Sequence, residues 1–142
     1  MRCFAKIAVL EFHSYPLYFR VLLLSFFVRL LVVFVSFEQI SKWFKYRRGL
    51  YPSELSQITA DISEMFLALE RVAKYTPWRC KCLEQGIIAK LLLQRRNIPS
   101  TIIFGVHIQK GKIVAHAWLK CGSEIVIGGN GTELFKPIAF FS

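Results

Sequence analysis

Apolar residues fill positions 17–37 almost without a break, recur every three or four residues between 55 and 72, and gather past position 100 in short β-branched and aromatic runs separated by glycine. The first stretch is long enough to span a bilayer at ~20 residues, but Arg20 and Arg29 interrupt it. A central arginine costs about 2.5 to 3.5 kcal/mol on insertion scales, which the surrounding Leu, Val and Phe can offset. Nine residues is about 2.5 helical turns, so the two arginines fall on opposite faces and make no single polar stripe. Two readings stay open: a helix packed within the protein or against a partner, which is favoured, and membrane contact through residues 17–37.

Pro52 and Ser53 open a second helix, in which Leu55, Ile58, Ile62, Met65, Phe66, Leu69 and Val72 form one apolar face. It ends near Tyr75, because the residue before Pro77 is pushed out of the helical region. The spacing then predicts a helix over 82–95, with Leu83, Ile87 and Leu91 inward and Asn97 and Pro99 as its stop. Strands follow at 101–108, 112–120 and 124–128, parted by turn signals at Gly111 and Gly122. The expected class is α+β: a helical region over residues 1–76, then a core over 77–142 made of one helix and an antiparallel meander.

Composition narrows the setting more than the function. The net charge of +10 on 142 residues suits an acidic peptide, an anionic membrane surface or nucleic acid. The basic and aromatic segment KWFKYRR at 42–48 is better read as the solvated end of the preceding helix, since no groove motif accompanies it, and no nucleic-acid partner is expected. Four cysteines with no secretory signal point to reduced thiols in the cytoplasm. Cys80, Cys82, His107, His116 and Cys121 lack the spacing of a structural zinc site, so neither metal nor cofactor is expected.

The chemistry-bearing pattern is Cys82 at a helix start and His116 within a strand. A helix N-terminus favours a thiolate, and a strand histidine beside it can act as general base and later protonate a leaving amine. The backbone N–H of Cys82, with one further donor, would form an oxyanion hole. Trp118 is expected to pack beside the site.

The segments Cys82-Leu83-Glu84-Gln85-Gly86, Leu91-Leu92-Leu93-Gln94-Arg95-Arg96-Asn97-Ile98-Pro99, Phe104-Gly105-Val106 and Ala115-His116-Ala117-Trp118 resemble the stand-alone leader peptidases of lasso-peptide biosynthesis, a branch of the transglutaminase-like cysteine proteases. The resemblance covers roughly residues 78–141. It implies a papain/transglutaminase-like core, with Cys82 as nucleophile and His116 as base. The substrate would be a precursor peptide, cut between leader and core. It also implies a separate leader-binding recognition protein and a lasso macrolactam synthetase as partners.

The resemblance calls for an aspartate near position 128, where this chain has glycine. A three-residue turn at 121–123 would pair Lys120 with Glu124 and set Gly128 opposite His116. Asn130, on the same face by parity, is then the expected orienting residue, while Glu124 lies about 13 Å away along the strand. A backbone carbonyl in place of the missing carboxylate is the other option. The alternative function is a docking module of the same maturation complex that cuts nothing.

Overall fold

The computed structural model describes residues 2–43 and 60–141. Among the described residues four α-helices precede and flank a four-stranded antiparallel sheet: α1 Arg2–Phe34, α2 Phe37–Trp43, α3 Ala60–Tyr75, α4 Cys82–Gln94, β1 Thr101–Gln109, β2 Lys112–Cys121, β3 Glu124–Ile127 and β4 Lys136–Phe141, in the order β3-β2-β1-β4. The expected α+β class, helices followed by an antiparallel sheet, holds.

Local chemistry explains the boundaries. Between α1 and α2, Ser36 Oγ accepts the Gln39 N–H at 3.4 Å while Gln39 Oε1 accepts the Ser36 N–H at 3.3 Å, a reciprocal cap that starts a new helix. α3 buries Ile62, Met65, Phe66, Leu69 and Val72 as its spacing predicts and ends at Tyr75; its expected start near Pro52 lies outside the described residues. α4 stops where Asn97 turns left-handed at φ 56° and the Ile98 N–H returns to Leu93 O at 3.0 Å, just before Pro99.

α4 sits at the centre. Its Ile87, Ile88, Leu92 and Leu93 join Val21 and Val28 of α1, the apolar face of α3, and Ile102, Leu119, Ile127 and Phe141 of the sheet in one hydrophobic cluster. A helix enclosed on both sides has to be apolar nearly all round, and α4 is. Its one buried lysine, Lys90, donates from Nζ to Ser100 O at 2.6 Å, and burial lowers its ammonium to about 8.

The sheet departs from expectation at two places. β4 is a fourth strand, paired with β1 and irregular between Phe104 and Gly105, where Pro137 faces Gly105. The β2–β3 hairpin turns on Gly122 and Ser123 alone: Cys121 pairs with Glu124, Lys120 with Ile125 and, after a bulge, Leu119 with Ile127. The expected pairing of Lys120 with Glu124 is therefore off by one position, and β3 ends before Gly128.

Candidate active site

Cys82 is the first residue of α4 and is half-buried. The turn that carries it is held from both sides. Glu84 Oε2 accepts the Lys81 N–H at 3.2 Å, Lys81 O accepts the Gln85 N–H at 2.9 Å, and Gln85 Nε2 donates to Cys80 O at 2.9 Å. Glu84 is only 3% exposed, and its other oxygen accepts a bond from Arg29 Nη1 at 3.1 Å. Arg29, the charge at the middle of the apolar helix, thus neutralises a buried carboxylate two residues from the thiol. Without that partner the carboxylate would be left buried and uncompensated.

The neighbouring thiols differ in character. Burial, and then the charge of Glu84, push Cys80 up to about 11, so near neutral pH it stays protonated and inert. Cys121 is buried with Sγ directed at Pro99 O, 3.6 Å away. Cys80, Cys82 and Cys121 are all free thiols. Among the described residues no three His, Cys, Asp or Glu side chains group as a metal site would need.

His116 lies on β2 opposite Gly105 of β1. Its ring stacks on Trp118 with centroids 6.0 Å apart and tilts against Phe135 at 5.2 Å, and Phe135 in turn meets His107 at 5.8 Å. Gly105 is required by this packing, since a Cβ there would stand 2.7 Å from the Trp118 ring and 2.9 Å from Phe135. Trp118 is buried beside the histidine, as expected from sequence.

The orienting contact is a backbone one. His116 Nε2 lies 2.7 Å from Gly128 O. A carbonyl only accepts, so Nε2 carries the proton and Nδ1 is left with its lone pair as the basic nitrogen. Gly128 makes the approach possible: its φ is 72°, and a Cβ would meet Ala117 O at 2.7 Å. Asn130 is exposed in the turn that follows, and Glu124 stands at the far end of β3.

The structure therefore joins His116 to Gly128 rather than to a side chain. Among the described residues no hydrogen bond links it to Cys82. By strand alternation His116 shares a face of β2 with Trp118, while Leu119, of opposite parity, enters the cluster around α4. A groove of about 430 Å³ between α1 and the end of α3, lined by Tyr18, Leu22, Arg71, Tyr75 and Pro77, includes neither Cys82 nor His116.

Sequence reasoning missed the Arg29–Glu84 pair, whose members are 55 positions apart. It had one available signal, a lone arginine in an apolar helix that needs a buried partner.

No curated protein and no solved structure gives a significant match to the chain. A family model described as transglutaminase-like superfamily matches residues 24–139, reaching back from the helix-start cysteine and the histidine strand through α3 into α1. The chain belongs to the transglutaminase-like superfamily.

Proposed function

We propose that this chain is a cysteine peptidase that removes the leader from a lasso-peptide precursor in the cytoplasm, with a separate leader-binding recognition protein presenting the substrate and a lasso macrolactam synthetase taking the product. The observation that carries the reading is the 2.7 Å contact of His116 Nε2 with Gly128 O, which fixes the ring and reserves Nδ1 as a base. Superfamily membership and the helix-start position of Cys82 support it.

In this mechanism Cys82 Sγ attacks the scissile carbonyl and its proton passes to His116 Nδ1. The backbone N–H of Cys82, in the first turn of α4 where amides lack intrahelical partners, donates to the developing oxyanion. The imidazolium protonates the leaving amine, and water then cleaves the thioester with His116 again as base. Thiol and imidazole are not hydrogen-bonded in the resting chain, and because His116 shares its face of β2 with Trp118 and not with the residues that pack around α4, the transfer requires the two groups to be brought together when substrate binds. A carbonyl stabilises the imidazolium less than a carboxylate would, because charge-assisted hydrogen bonds are roughly twice as strong as neutral ones.

The test is mass spectrometry of a lasso precursor incubated with the protein and its leader-binding partner. A single cut is expected with the wild type and none with Cys82→Ala or His116→Ala, each folded by circular dichroism. Cutting by either variant at the normal rate would remove the assignment. No cut by any of them would favour the second reading, a docking module of the same complex, which the missing carboxylate at position 128 and the unjoined Cys82 and His116 support.

A further inference from the structure

The outward face of α1 is apolar where a soluble helix would be polar. Val21, Ser25 and Val28 point into the molecule. At about 100° per residue, Phe19, Leu23, Phe26, Phe27, Leu30 and Phe34 occupy an arc of roughly 100° on the opposite side. All six are exposed, Phe34 to 80% and Phe27 to 61%. Between Phe19 and Phe34 no polar side chain lies within that arc. Arg20 and Arg29 flank it, one on either side: Arg20 is exposed and makes no ion pair among the described residues, and Arg29 is tied to Glu84.

We infer that this face seats the protein in the plane of an anionic lipid bilayer, the phenylalanines and leucines entering the acyl boundary and Arg20 reaching back to the headgroups. The inward face argues against a spanning orientation, since Val21, Ser25 and Val28 pack into the core and Arg29 pairs with the buried Glu84. An apolar face bordered by Arg20, whose stem can lie along apolar surface while its head stays in water, suits a helix lying in the plane of the interface. A second copy is disfavoured by charge, since each chain carries +10 and pairing would bring like charges together, whereas anionic headgroups complement them. A protein partner would be expected to find hydrogen-bonding groups at roughly one per 100–200 Å² of interface, and the arc offers none. The inference stands apart from the proposed peptidase activity, because it concerns a face that includes neither Cys82 nor His116.

The experiment is co-sedimentation of the full chain with vesicles of phosphatidylcholine alone and of phosphatidylcholine with phosphatidylglycerol, alongside light scattering without lipid. Binding to the anionic vesicles, weakened by salt, is expected from a chain that scatters as a monomer. Phe19→Ser with Phe27→Ser should lower partitioning by at least about tenfold, since each buried aromatic contributes more than that factor. Arg20→Glu, an exposed change that leaves the core intact, should lower binding to the anionic vesicles several-fold. Protein left in the supernatant with anionic vesicles would overturn the inference. So would equal binding to both vesicle types, or a lipid-free dimer that the double serine variant dissolves.

Discussion

At the scale of single residues, the contact between His116 and Gly128 makes the sharpest demand. Gly128→Ala forces a side chain onto a φ of 72° and against Ala117 O. Strain of this kind costs about 1 to 3 kcal/mol, and the carbonyl is displaced from the imidazole. Peptidase kcat should fall by at least about tenfold, whereas Asn130→Ala, at an exposed turn position, should leave kcat within about twofold. Kinetics of the two purified variants on one precursor decides this, and a larger loss with Asn130→Ala would return the orienting role to that side chain. Sequence placed Cys82 at a helix start, His116 on a strand and Trp118 beside it, because each follows from local pattern. The acceptor was legible only in part: the sequence set Gly128 opposite His116 and left a backbone carbonyl as the second option, yet favoured the Asn130 side chain, because a hairpin's register depends on turn length and bulges and both shift this one.

Between elements, the decisive joint is the Arg29–Glu84 pair that fastens α1 to the first turn of α4. Arg29→Met keeps the apolar stem and leaves Glu84 buried without its cation, although the carboxylate still accepts the Lys81 N–H. A loss of about 2 kcal/mol or more is expected for a buried carboxylate that keeps its backbone hydrogen bond but loses its cation. The double change Arg29→Met with Glu84→Gln should recover part of it, as urea unfolding of the three proteins would reveal. No recovery would mean that Arg29 contributes through packing alone. Pattern reasoning located α4 and the described part of α3 well, since periodicity is local, but it missed β4. Lys136–Phe141 carries Pro137 and no clean alternation, which suits an edge strand and conceals it.

For the molecule as a whole, the buried ionisable groups set how stability depends on pH. Lys90 is held at about 8 in the folded chain against an ordinary value of 10.5, so between those values the unfolded chain binds more protons and stability rises with pH. Cys80 has the opposite sign: raised from 9.0 to about 11, it makes the folded chain bind more protons above pH 9, and stability falls. Thermal unfolding should therefore show a climb from pH 7.5 to about 9 that flattens beyond, and Lys90→Met should abolish the climb. A slope unchanged in Lys90→Met would assign it elsewhere. Finally, the shared cluster that wraps α4 has a consequence for what can be cut away. Residues 77–142 hold both Cys82 and His116, yet expressed alone they would present the stripped flank of α4 to water. That fragment should aggregate or bind hydrophobic dyes, and only the chain that also carries α1 and α3 should unfold in one cooperative step.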